Sequence, residues 1–263
     1  MTRPILTLRW VLTTFLVLVG VGVLVRLGIW QLDRLAQRRA FNARVTAQLN
    51  QPELDLNLDM PVSQLYNMEY RNVVVKGTYD FSQQVLLRNQ AWDNRIGFHL
   101  LTPLEIDGSP YAILVDRGWI PIENAGNLDP FNEPGKVVLR GQLRRPQTKP
   151  DFGGVPDPTL APGENRLSTW NIINLSRIQQ QTNLKLLPVY LQEAPAPSHT
   201  QLPYRSLTNL ELTEGPHFGY ALQWFTFAAI LGLGYPFYAR KQLSKQVREY
   251  HPNPSPGENQ ESP

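Results

Sequence analysis

The 263-residue sequence contains no cysteine, three methionines and four histidines. Without cysteine there are no disulfides, thiolate metal sites, iron–sulfur clusters or cysteine nucleophiles. The histidines (His99, His199, His217 and His251) are scattered, with neither H-x-x-H nor H-E-x-x-H spacing, which argues against a zinc site built from protein ligands alone. No serine lies in G-x-S-x-G, and no glycine-rich phosphate loop is present. No internal repeat of about 20–50 residues is visible. Among 22 acidic residues no carboxylate pair is singled out. The formal net charge is only +3, and the basic residues cluster beside apolar runs instead of interleaving with exposed aromatics. Nucleic-acid binding is therefore set aside. These absences disfavour an enzyme and leave no metal centre to argue for.

Two long apolar stretches are present. Trp10–Ile29 (WVLTTFLVLVGVGVLVRLGI) is interrupted only by two threonines and Arg26. A cleaved signal peptide is the alternative, but the run exceeds the usual ~7–15 apolar residues and no A-x-A-like site follows. The second stretch, Gly215–Tyr238, carries no formal charge from Phe218 onward and is followed by Arg240, Lys241, Lys245 and Arg248. Both are long enough to cross a hydrocarbon core at ~1.5 Å per residue. The charge flanks predict spans at 10–30 and 217–238, with segments 1–9 and 239–263 in the cytoplasm and a domain, 31–216, outside it. Arg26, close to the end of the first span, can snorkel to the interface. Small residues (Gly20, Gly22, Ala221, Ala228 and Gly232) predict close antiparallel packing of the two spans.

Between the spans, Trp30–Asn50 lacks Gly and Pro and predicts a continuation of the first helix. Strands are expected at Tyr70–Tyr79, Val85–Gln90, Gly97–Leu104, Tyr111–Ile120, Lys136–Leu143 and Val189–Gln192, with a last one at Arg205–Leu210. Asp93-Asn94 and Asp107-Gly108 supply turns between them. Residues 146–166 hold five prolines and three glycines and predict a long loop. Asn174–Thr182 predicts one short helix with Asn174 as N-cap. The tail after Tyr250 has nothing to bury and predicts disorder. The expected fold class is a membrane protein: two transmembrane α-helices flanking a mainly antiparallel β extracytoplasmic domain with one short helix, the sheet curling toward a sandwich or barrel.

His217 opens the second apolar stretch. On a helix, Tyr220, Ala221, Trp224 and Ala228 follow it at spacings of 3, 4, 7 and 11 and share its face. An imidazole above an aromatic and alanine-lined face suits an axial ligand of haem iron. The same residues also suit an interfacial histidine that caps its helix beside an ordinary aromatic belt. In the antiparallel pair His217 and Tyr220 should lie near Gly28 and Trp30, with Arg26 about one turn deeper and able to meet a haem propionate. In the domain Arg71, Arg117 and Trp119 stand out. Arg117, inside LVDRGWIP, points to a partner, pairs with Asp116, or lies on a solvated sheet edge.

Taken in order, GIWQLDR after the first span, RNVVVKGTY, GFHLLTPL, ILVDRGWIP, VVLRGQLRRP, STWNIINLSRIQQQ and HFGYALQWF resemble the Surfeit locus protein family of cytochrome c oxidase assembly factors over nearly the whole chain. The matching positions are Gly28, Trp30, Gln31 and Arg34, then Arg71, Gly77 and Tyr79. Arg117, Gly118, Trp119 and Pro121 follow, and then His217, Tyr220 and Trp224. Pro216 stands where many members have asparagine, and the 146–166 loop has its own proline-rich composition. The resemblance implies a non-enzymatic factor for haem-copper oxidase biogenesis, assisting delivery or insertion of haem a into the first subunit. Haem a is the implied transient cofactor, with His217, Tyr220, Trp224 and Arg26 around it. Trp30, Gln31, Arg34, Arg71, Arg117 and Trp119 are the implied partner contacts. Expected partners are cytochrome c oxidase subunits, the haem a synthesis machinery and membrane lipid, and no nucleic acid. The other reading is a cofactor-free structural chaperone that grips oxidase subunits. A short N-terminus without an Arg/Ser-rich transit segment places the expected protein in a bacterial plasma membrane, multi-pass.

Overall fold

In the computed structural model, residues 8–160, 163–197 and 199–250 are described. The N-terminal residues 1–7 and the tail 251–263, where disorder was expected, lie outside the described residues. The chain divides into two compact units, residues 1–42 with 212–263, and residues 43–211.

The first unit is a helix pair. Helix α1 is Leu8–Leu49, and the chain's last helix, α4, is His217–Tyr250. Asn42 Nδ2 donates to the Thr213 carbonyl, a Cβ on Gly28 would meet the Phe225 ring at 2.7 Å, and Thr14 and Tyr235 share a 2.6 Å hydroxyl bond. Rising numbers on one helix meet falling numbers on the other, so the pair is antiparallel. Its seam on α1 follows Thr14, Val21, Gly28 and Leu35, a seven-residue spacing of the kind that packs side-chain knobs into holes. Ala221 and Ala228 are buried on α4, and Gly20 and Gly232 approach Leu231 and Val21. Gly22 meets nothing within 4 Å and is not part of the seam.

The membrane expectation is corrected here. Among the described residues α1 is the one helix long and apolar enough to cross a membrane, with a mean hydropathy of 2.2 over 18 residues of which 6% are buried. Helix α4 does not qualify, so the chain does not have two flanking transmembrane helices. Its uncharged stretch is diluted by Tyr220, Gln223, Trp224, Tyr235 and Tyr238, and Pro236 lies within it. Absence of charge was mistaken for apolarity. The multi-pass placement, with a domain outside a bacterial plasma membrane, rested on that second span and falls with it.

The second unit is a mixed sheet with short helices. Its strands are β1 Leu54–Asp55, β2 Asn72–Tyr79, β3 Val85–Trp92, β4 Arg95–Ile106, β5 Ala112–Pro121, β6 Lys136–Arg144, β7 Thr169–Trp170 and β8 Leu186–Glu193. Helices α2 (Val62–Leu65) and α3 (Leu175–Gln179) complete it, so it carries two short helices where one was expected. The order is β1-β2-β6-β8-β5-β4-β3-β7, and β2 also pairs with β4, closing β2, β6, β8, β5 and β4 into a barrel. The pairs β2–β4, β2–β6, β3–β4, β4–β5 and β6–β8 are antiparallel and β1–β2, β3–β7 and β5–β8 parallel, so the sheet is mixed with antiparallel pairing in the majority. The expected strand over Arg205–Leu210 is absent; only Tyr204 bridges to Trp119.

Closure turns on Gly77, whose partners are Val137 on β6 and Ile106 on β4. A Cβ there would lie 2.2 Å from the Glu105 carbonyl oxygen, so only glycine lets β4 come this near. Val73, Val75, Leu104, Ile113, Val115, Leu139 and Leu191 fill the barrel from alternate positions of its strands, and Leu56 and Leu65 join them. Leu114, on the opposite face of β5, packs with Leu87, Trp170 and Ile178 under α3. All ten residues of β5 are thus buried.

Candidate functional site

His217 is the first residue of α4, and the Pro216 carbonyl accepts the helix's opening bond from Tyr220 N. Its Nδ1 lies 2.8 Å from Oε1 of Gln31 on α1. An amide oxygen can only accept, so Nδ1 carries the proton in this contact, which leaves Nε2 as the ring nitrogen able to ligate. Below this contact Arg39 makes a two-bond pair with Glu214 at 2.8 and 2.9 Å. Trp224 is half-buried and packs edge-on against Phe227, with ring centroids 6.2 Å apart. Tyr220 is exposed. Trp30 is also exposed, and the Arg34 guanidinium sits 5.9 Å over its ring. Arg26 is exposed and lies two residues from seam-facing Gly28, on the side of α1 turned away from α4. The pair thus brings His217 to Gln31 and leaves Arg26 apart. Gln31 Oε1 is engaged by His217.

The domain residues have a different setting. On β5 the residues Arg117 and Gly118 together oppose the single residue Leu100 of β4, a β-bulge, with Gly118 at φ +113°. A Cβ on Gly118 would stand 2.5 Å from the Tyr204 carbonyl oxygen. The bulge lets successive residues turn inward. Arg117 is 0% exposed; it donates to the Phe131 carbonyl, to Gln84 Oε1 at 3.2 Å and to Glu133 Oε1 at 3.1 Å, beside the rings of Tyr79 and Phe81. Glu133 also pairs with Arg205 at 3.0 Å, and Arg205 with Glu193 at 3.1 Å. Burial pushes the Glu193 carboxyl up to about 7; Arg205 opposes the shift and Glu133 adds to it. Burial likewise raises the Tyr79 phenol well above its ordinary value.

Trp119 donates from Nε1 to the Gln90 carbonyl at 3.0 Å and stacks on Tyr204, which stacks on Trp92. Arg117, Gly118 and Trp119 therefore converge on Tyr204 and Arg205, the segment by which the chain leaves the barrel. Neither Arg117 nor Trp119 is a surface group, so each acts on a partner only through what it holds. Asp116 pairs with His99 at 2.9 Å and not with Arg117. Arg71, just before β2, is half-buried with Nε unpaired. Glu133, Arg205 and Glu193 were not anticipated, because nothing local marks charges that meet across 12 to 72 residues of chain. No group of three or more metal-ligating side chains occurs among the described residues.

Comparison with known proteins supplies the family. The profile of the SURF1 family matches residues 18–229. The chain belongs to the SURF1 family. A SURF1-like protein of Rickettsia bellii is 26% identical, covering 89% of this chain and 93% of its own. An uncharacterized SURF1-like protein of Mycobacterium tuberculosis is 25% identical, covering 86% and 82%. A SURF1-like protein of Caenorhabditis elegans is 24% identical, covering 78% and 67%. SURF1-family membership supports a general role in cytochrome c oxidase assembly at the membrane, and the family's members are non-catalytic assembly factors linked to that assembly machinery. The matched span includes both halves of the His217–Gln31 contact and the whole Arg117–Trp119 bulge.

Proposed function

We propose that this chain assists oxidase assembly by holding haem a transiently at its helix pair, with His217 Nε2 as an axial ligand of the iron. The observation that carries the reading is the 2.8 Å contact from His217 Nδ1 to Gln31 Oε1. A metal-binding histidine commonly donates its second ring proton to an oxygen, which fixes tautomer and orientation and raises the basicity of the ligating nitrogen. Tyr220 and Trp224 supply aromatic faces beside it, and haem iron accepts a single imidazole without any further protein ligand. The residues fit such a group on one side only. An exposed Tyr220 and a half-buried Trp224 do not enclose a macrocycle, which suits a carrier that releases its cargo. Arg26, turned to the far side of α1, is left out of the site.

Trp30 and Arg34, exposed and stacked on each other, suit a contact with an oxidase subunit or with the machinery that makes haem a, since aromatic and arginine anchors dominate such surfaces. The test is the absorption spectrum of the full chain purified from cells that make haem a. The parent should carry haem a, His217→Ala should lose it while accumulating normally, and Gln31→Leu should retain it less tightly. Equal haem a on parent and His217→Ala would overturn the carrier reading and leave a chaperone that grips oxidase subunits without a cofactor.

A further inference from the structure

The second unit holds a polar cavity of about 380 Å³, walled by the end of β6, the segment after it, β8 and the residues between β7 and α3. Its charged groups are Arg144, Arg145 and Glu69. Each guanidinium lies over an aromatic ring, Arg144 at 4.6 Å from the Tyr70 centroid and Arg145 at 4.7 Å from that of Tyr66. The Glu69 carboxylate stands 3.7 Å from Arg144 Nε and 3.8 Å from Arg145 Nε, too far for a hydrogen bond to either. Among the described residues Arg144 makes a 3.4 Å hydrogen bond to Gln192 Oε1, and its buried Nε has no hydrogen-bond partner. An arginine whose side chain is 16% exposed and whose buried Nε is left open is costly to bury unless an acceptor arrives.

Two guanidiniums against one carboxylate leave one positive charge to balance. Burial raises the Tyr190 phenol, so it stays a neutral hydrogen-bond donor at the cavity wall. Gln147, tied through its backbone N to the Ile173 carbonyl at 2.9 Å, supplies an amide, and Leu87 and Ile172 supply apolar wall. Planar, stacked guanidiniums suit two-point recognition of a carboxylate. A dianion would be opposed by Glu69, and the volume is at the small end of ligand pockets.

We propose that this cavity is a binding site for a monocarboxylate, the free carboxylate of a small organic acid or of a peptide C-terminus, gripped by Arg144 and Arg145. The site is independent of the haem reading, and no residue is shared with it.

Calorimetric titration of the full chain in detergent micelles, against a micelle blank, tests it. The probes are hexanoate, acetyl-alanyl-leucine, the amide of that dipeptide, and inorganic phosphate. Both free carboxylates should bind, the tighter of them naming the source, and the amide should bind at least about tenfold more weakly. Arg144→Gln should weaken carboxylate binding about tenfold or more, and Glu69→Gln should tighten it, a gain that general damage to the fold would not produce. Arg145→Gln, at the more exposed position, should weaken binding in the same direction and serves if Arg144→Gln fails to fold. The proposal is overturned if the amide binds as well as the acid, if phosphate binds more tightly than both carboxylates, if neither carboxylate binds, or if the arginine variants bind as the parent does.

Discussion

Replacing Arg117 by methionine keeps most of the side-chain volume beside Tyr79 and Phe81 and removes the charge with every hydrogen bond it makes. Three acceptors lose a donor. The Phe131 carbonyl loses its Arg117 bond outright, Gln84 Oε1 keeps Thr102 Oγ1, and Glu133 keeps Arg205. Removing one partner of a buried ion pair costs about 3–5 kcal/mol, chiefly because the other charge is stranded. Here the Glu133 side chain is 40% exposed and still paired, so the lower end applies and the loss should be about 3 kcal/mol. Arg117→Lys keeps the charge but not the planar fork and should lose less, about 1–2 kcal/mol. The assay is denaturant unfolding of the full chain in micelles, followed by tryptophan fluorescence, since Trp92 and Trp119 both border the Tyr204 stack. A double cycle with Glu133→Gln should return a coupling of about 1–2 kcal/mol. If Arg117→Met unfolds within about 0.5 kcal/mol of the parent, the arginine does not hold the exit segment and the reasoning fails.

The buried Glu193 sets a pH dependence: its folded pKa of about 7 lies above the ordinary 4.5, so its contribution is full below pH 4.5 and is lost as pH rises through 7. Relative to Glu193→Gln, the parent should lose about 3 kcal/mol across that window, at roughly 1.4 kcal/mol per unit. Unfolding curves at several pH values read this, and a difference of opposite sign would mean the Arg205 pair outweighs desolvation. Gly77→Ala should cost about 3 kcal/mol by forcing β2 from β4, whereas Gly126→Ala, with nothing within 4 Å, should change stability by less than about 0.5 kcal/mol. Similar unfolding midpoints for the two would place the barrel closure elsewhere.

Local pattern was enough to locate most elements. β-branched runs marked β2, β5 and β6 to within about two residues, and the Asn174 cap was legible because its side chain accepts from Arg177 N three residues on. The place of His217 at the head of α4 and the small residues Ala221, Ala228 and Gly232 on its packed face could likewise be read from spacing, whereas on α1 Gly22 was assigned to the contact and lies outside it. Sequence also carried the family, through short motifs in a fixed order.

What it could not carry was anything decided by partners far along the chain. The parallel β5–β8 pairing and the β2–β4 closure depend on which edges meet, and strand propensity is silent on that. For Arg117 the sequence left a partner, a pair with Asp116 and a solvated sheet edge all open; only the folded barrel brings it the acceptors of Gln84, Phe131 and Glu133 that make its burial tolerable. The contact of Gln31 with His217, 186 residues away, is likewise set by the antiparallel pair and by nothing local to either residue. The apolar second stretch failed differently. A run can lack charge and still be polar, and whether its tyrosines, tryptophan and glutamine face lipid or a neighbouring helix is a property of packing, not of composition.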